Sequence, residues 1–131
     1  MERERVSKTM EIKREIKFMA WDKKEKIMIA KVGEFMGEDL SDLIDNDDMV
    51  LIQYIGLKDK NGTDLYEGNI IELQGHIISD RDKISKGVIF WDEEDACFKH
   101  TYEDRPPKRY WKHAKRIGNI YENPELLEDK I

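Results

Sequence analysis

The feature that most constrains this chain is the turn punctuation between residues 49 and 73. An apolar run from Met49 to Ile55 stops at Gly56. Asn61-Gly62 follows, and a second signal, Glu67-Gly68-Asn69, leads into Ile70-Ile71-Glu72-Leu73. Asn-Gly suits turns that need positive φ, and short apolar runs bounded by such signals read as strands. The stretch therefore reads as strand, turn, a short irregular segment at Thr63–Tyr66, then strand. Spacing this tight places both strands in one small sheet or barrel.

The same stretch invites a metal reading. Asp59, Asn61 and Thr63 occupy positions 1, 3 and 5 of a calcium-loop template. Position 6 requires glycine and is Asp64; position 12 requires glutamate and is Ile70. No helical pattern flanks the loop, so the reading is a polar turn.

The rest of the chain keeps the same rhythm. Ile16, Phe18 and Ala20 alternate with Lys17 and Met19, as in a half-buried strand. Asp22 to Lys26 is a charged turn and 27–32 a return strand, which predicts an N-terminal hairpin. Gln74 to Ser85, with His76, reads as a loop. Residues 87–91 read as a strand, Asp92-Glu93-Glu94-Asp95 as a solvated turn, and 96–102 as the partner strand. Alternation there puts Ala96, Phe98, His100 and Tyr102 on one face. Residues 117–121 form a last strand. Asn123 is placed as an N-cap, with Pro124 and Glu125 in the first turn of a short C-terminal helical segment. The sum is a mainly-β single domain over 15–131, preceded by a charged arm, residues 1–14.

Three blocks resemble the YopX family of phage and prophage proteins. They are Ile16-Lys17-Phe18-Met19-Ala20-Trp21-Asp22, then Gln53-Tyr54-Ile55-Gly56-Leu57-Lys58-Asp59-Lys60-Asn61-Gly62 with Tyr66-Glu67-Gly68-Asn69, and finally Ile117-Gly118-Asn119-Ile120-Tyr121-Glu122-Asn123-Pro124-Glu125-Leu126-Leu127. Ile55 stands where that family more usually has Thr, and Asn69 where it has Asp. A ligand role for that Asp would lose its charge here, whereas a turn role survives the exchange. The resemblance implies a small SH3-like β-barrel of undefined activity in a phage or prophage setting.

Charge is distributed unevenly. No Lys or Arg lies between Lys31 and Lys58, while Glu34, Glu38, Asp39, Asp42, Asp45, Asp47 and Asp48 form an acidic insertion. Such a segment needs solvent or a cationic partner. Its counterpart is Arg105, Lys108, Arg109, Lys112, Lys115 and Arg116, interleaved with Tyr110, Trp111 and His113. Two functions suit this pattern. One is a non-catalytic accessory protein that forms homo-oligomers and binds a phage or host protein, with the acidic set docking on basic residues. The alternative is a nucleic-acid-binding module using Arg105, Lys108, Arg109, Tyr110, Trp111, Lys112 and Arg116 for phosphates and base stacking. The net charge of −6 favours the first.

Other chemistries lack their residues. Cys97 and His100 form a lone Cys-x-x-His without a second pair, so no zinc site is expected. On a strand they also leave opposite faces, so no nucleophile pair is expected. Four adjacent acids in an open turn offer no contrast of environments for acid–base work. No phosphate loop, Ser-His-Asp set or HExxH motif is present, and no enzyme, metal or cofactor is expected. One cysteine, no apolar run near membrane length and a charged start lead us to expect a cytoplasmic protein of the bacterial host cell.

Overall fold

The computed structural model describes residues 15–30, 32, 44–74, 84–102, 105–108, 111 and 113–128. Among these, strands β1 (Phe18–Asp22), β2 (Ile27–Ile29), β3 (Met49–Lys58) and β4 (Asp64–Tyr66) form one antiparallel sheet in the order β2-β1-β3-β4. Strands β5 (Asn69–Gln74), β6 (Ile84–Asp92), β7 (Cys97–Tyr102), β8 (Arg105–Lys108) and β9 (Ala114–Asn119) form a second, ordered β8-β7-β6-β5-β9. A 3-10 turn, Pro124–Leu127, follows. The mainly-β reading and the N-terminal hairpin hold. The arm 1–14, residues 33–43 of the acidic insertion and His76 lie outside the described residues.

The segment from Thr63 to Tyr66 is more regular than its sequence suggested: Asp64–Tyr66 pairs with β3 as a strand. Strand β3 is long because a bulge lets it bend. Its register with β4 shifts between Tyr54 and Lys58, and Gly56 inside the shift has φ +91°. The bend lets β3 and β4 serve two cores. Ile52, Tyr54 and Tyr66 pack with Met19, Trp21, Met28, Val50 and Tyr121. Leu65 turns to Ile71, Leu73, Ile89 and Ala114, against which Ile55, Phe98 and Trp111 also pack. Trp21, Tyr54, Tyr66 and Tyr121 bring all three family-like blocks into one cluster.

Gly68 carries the chain from the first sheet to the second. Its N–H donates to the Ile89 carbonyl at 2.8 Å, and its own carbonyl accepts from Ile120 N–H at 2.9 Å. Its φ is +84°, and a Cβ would sit 2.9 Å from Cε2 of Tyr121. Asn69 is buried, and its Oδ1 accepts the Tyr66 N–H at 2.8 Å. That is the turn-forming role expected to survive the Asp-to-Asn exchange, and the neutral amide performs it without burying a charge.

Four expectations need correction. The strands at 49–55 and 70–73 fall in different sheets rather than one. The last strand is Ala114–Asn119, with Ile120 and Tyr121 in the turn after it rather than in a strand over 117–121. Residues Gln74, Ile84 and Ser85 belong to paired strands rather than to a loop, with Gln74 opposite Ile84 and Leu73 opposite Ser85. A lone Ile84 among polar neighbours shows no alternation, and that hid the ladder, since pairing is a backbone property. Asn123 does not cap the terminal turn with its side chain. Its Oδ1 accepts instead from Asn119 N–H at 3.2 Å, while Asn119 Oδ1 accepts from Tyr121 and Glu122 N–H. The two asparagines close the chain reversal on each other. Pro106 and Pro107 lie in β8, an edge strand, where a missing N–H is tolerated.

Candidate binding groove

The residues that carry the 59–64 turn are committed to structure. Asp59 is buried, and its Oδ1 accepts from Asn61 N–H at 2.8 Å and Thr63 N–H at 2.9 Å. Its Oδ2 accepts from Arg116 N–H at 2.9 Å, fastening the turn to β9. Burial alone would raise the Asp59 pKa, but the three N–H groups and the Arg116 charge outweigh it and hold the carboxyl below its ordinary value. Asp64 is held low by hydrogen bonds from Lys17 and Lys58. The Lys17 ammonium also sits 4.6 Å from the Tyr54 ring centroid. The calcium-template oxygen of Asp59 is thus occupied by backbone donors.

The turn between β6 and β7 is less open than four acids implied. The strand continues through Asp92, and residues 93–96 make the turn, with Ala96 at φ 52°. Lys99 bridges Asp92 and Asp95 and depresses the Asp92 pKa, while Glu93 and Glu94 are exposed. The two hairpin turns share an aspartate that accepts turn N–H groups: Asp92 Oδ1 accepts from Glu94 N–H, Asp22 Oδ1 accepts from Lys24 and Glu25 N–H, and Lys26, like Ala96, has positive φ, 58°. Trp-Asp precedes both turns, a signal that was readable at 21–22 and 91–92.

Between β3 and the β6–β7 hairpin runs a groove of about 990 Å³. One wall carries Gln53, Ile55 and Leu57, three alternate residues of β3, with Glu67 beside them. The other wall is Trp91, Ala96, Cys97, Phe98 and Trp111. Trp91 is 47% exposed and Leu57 45%, both large apolar side chains facing solvent. Trp91 meets Phe98 edge to face at 5.0 Å, and Trp111 meets the buried His100 in the same way at 5.0 Å. Glu67 is fixed in place, because its Oε1 accepts the Gln53 N–H at 2.9 Å. Packing against neighbours on β7 thus holds two indoles in set orientations.

The sequence-derived surfaces divide. From the basic set, Trp111 packs on the core and lines the groove, while Arg116 donates Nη1–H to the Asp64 carbonyl at 3.2 Å. Arg105 and Lys108 are placed as backbone in β8. Arg109, Tyr110 and Lys112 lie outside the described residues, as do Glu34, Glu38, Asp39 and Asp42 of the acidic set. Asp45, Asp47 and Asp48 are exposed at the entry to β3. Sequence reasoning missed Trp91, Phe98, Leu57 and Glu67 as a site. The sequence reading put Trp91 and Phe98 on two strands and left Leu57 and Glu67 in turn segments, and the bend in β3 brings them together. Among the described residues no group of three or more His, Cys, Asp or Glu is placed to hold a metal ion.

The geometry can be set beside known proteins. A family model described as YopX protein matches residues 33–128. The chain belongs to the YopX family. The YopX match begins after the first hairpin, so the block at 16–22 lies outside it. A crystal structure of protein EF1440 from Enterococcus faecalis is similar at 26% identity, with a TM-score of 0.61, over 88% of this chain and 100% of that one. A comparison with curated proteins finds no match. The YopX membership makes this a phage or prophage accessory protein of undefined activity.

Proposed function

We propose that this YopX protein is non-catalytic and works by binding another macromolecule through the aromatic groove. The observation that carries the reading is the pairing of exposed Trp91 with exposed Leu57 across one concavity. Large apolar side chains left in water on facing walls gain by being covered. The bend at Gly56, which lets β3 and β4 serve both cores, supports reading the two sheets as one small SH3-like barrel. Self-association through the acidic segment 34–48 and the basic segment 105–116 is a separate contact in this proposal, driven by charge.

The nucleic-acid alternative draws on the same aromatic rings. Glu67 in the wall and the use of Arg116 on Asp64 weigh against it. The test replaces the two exposed apolar side chains, Leu57→Asp and Trp91→Asp, and follows the size of the native complex in extracts of prophage-bearing cells. The variants should keep a cooperative melt and elute smaller than the wild type. Identical elution of folded variants and wild type contradicts the proposal.

A further inference from the structure

The shape and charge of the groove narrow its occupant. Gln53, Ile55 and Leu57 span at most about 13 Å along β3 at roughly 3.3 Å per residue, with the bend at Gly56 falling between the last two. A wall of that reach accommodates about four residues of a polyproline II segment rising 3.1 Å each. Facing it are the fixed rings of Trp91, Phe98 and Trp111. Flat proline rings pack on such faces, and a preformed extended segment gives up little conformational freedom on docking. That segment makes no internal hydrogen bonds, and the Gln53 side-chain amide can donate to its carbonyls.

Charge selects among such segments. Glu67 is the charged residue among the described groove residues, and its second carboxylate oxygen is not the one that holds Gln53 N–H. The β6–β7 turn that ends at Ala96, a groove residue, also carries Glu93 and Glu94, both exposed outside the lining. Cations adjacent to an indole face gain cation–π attraction as well as carboxylate pairing. We infer that the groove takes an extended, proline-bearing peptide segment that carries Lys or Arg beside its prolines. The inference rests on the binding reading above and deepens it.

The test is fluorescence anisotropy of a dye-labelled synthetic peptide of repeated Pro-Pro-Lys, titrated with the full chain at low salt. Two control peptides carry Glu in place of Lys, or Gly in place of Pro. A labelled oligothymidine is the nucleic-acid arm. The Pro-Pro-Lys peptide should bind saturably, and each control should bind about tenfold or more weakly. Glu67→Gln should lower affinity for the Lys peptide several-fold and narrow its gap from the Glu peptide. Trp91→Ala should abolish binding while the thermal melt stays cooperative. Equal binding of all three peptides overturns the inference, as does tighter binding of oligothymidine. No binding of any peptide also overturns it, without touching the complex-size result that decides the binding reading.

Discussion

Removing the Asp59 carboxylate should loosen the β3–β4 turn and its tie to β9 in the second sheet. In Asp59→Ala, the N–H groups of Asn61, Thr63 and Arg116 lose their acceptor. A hydrogen bond to a charged group contributes about 1.5–3 kcal/mol, and an unmet buried donor costs about 1–3 kcal/mol. Asn61 and Thr63 are exposed and can turn to water; Arg116 is half-buried in β9. Counting the Arg116 bond in full and the turn bonds in part gives a loss of about 3 kcal/mol. For a chain of this size that lowers the melting temperature by roughly 10 °C. Asp59→Asn can satisfy the turn or Arg116 but not both, so it should lose about half as much. The pH dependence follows from the depressed pKa of Asp59 in the folded state. Its stabilisation is complete above the unfolded carboxyl value of about 3.9 and is lost as pH falls through the lower folded value. Urea melts at neutral pH and at about pH 3 measure both effects. The gap between wild type and Asp59→Ala should be smaller in acid. A neutral-pH difference below about 0.5 kcal/mol, the level of an ordinary surface change, would refute the latch.

Other expectations concern the glycines, the asparagine and the charged segments. Gly87→Ala places a Cβ in overlap with the Thr101 carbonyl oxygen, a backbone atom that cannot swing aside, so the melting temperature should drop steeply or the chain fail to fold. An unchanged melt would remove the close approach of β6 and β7 at that point. Asn69→Ala strips the acceptor from buried Tyr66 N–H and should cost about 1–3 kcal/mol, while Asn69→Asp keeps that acceptor and should cost less. An Asn69→Asp protein as unstable as Asn69→Ala would show that the acceptor is not what matters. If the charged segments drive self-association, solution mass by light scattering should fall as salt rises, since exposed pairs are screened over about 8 Å at physiological ionic strength. Mass that holds from low to molar salt would sink the charge-driven version.

Much of the fold was legible because its turns are written in residues with one physical use. Asn61-Gly62 and Gly68 sit where φ is positive at the glycine, and the alternation at Phe98–His100 marks a strand. At 16–21 alternation found the strand but not its packing. Met19 and Trp21, on the face opposite Phe18 and Ala20, pack on the cluster of Tyr54 and Tyr66, while Ile16 is 60% exposed. The ladder through Gln74, Ile84 and Ser85 was illegible because one apolar residue among polar neighbours leaves no alternation to read, while backbone pairing needs none. Asn123 misled for a related reason: an amide near a helical start can satisfy more than one orphan N–H, and the choice of Asn119 depends on the turn folding back. The groove was the least legible feature. Its walls come from residues 53–57, 67, 91–98 and 111, and a bulge at Gly56 decides which way Leu57 faces. Sequence reading followed charge to Arg116, whose guanidinium is occupied by the Asp64 carbonyl.

The most direct test of the central claim is site-specific photo-cross-linking inside prophage-bearing cells. A photoreactive amino acid at position 57 reports on the groove, and one at the exposed Lys24 of the first hairpin serves as a control. The account predicts a discrete cross-linked product from position 57 and none from position 24. Products of the same size and yield from both positions, or from neither, would contradict binding through the groove.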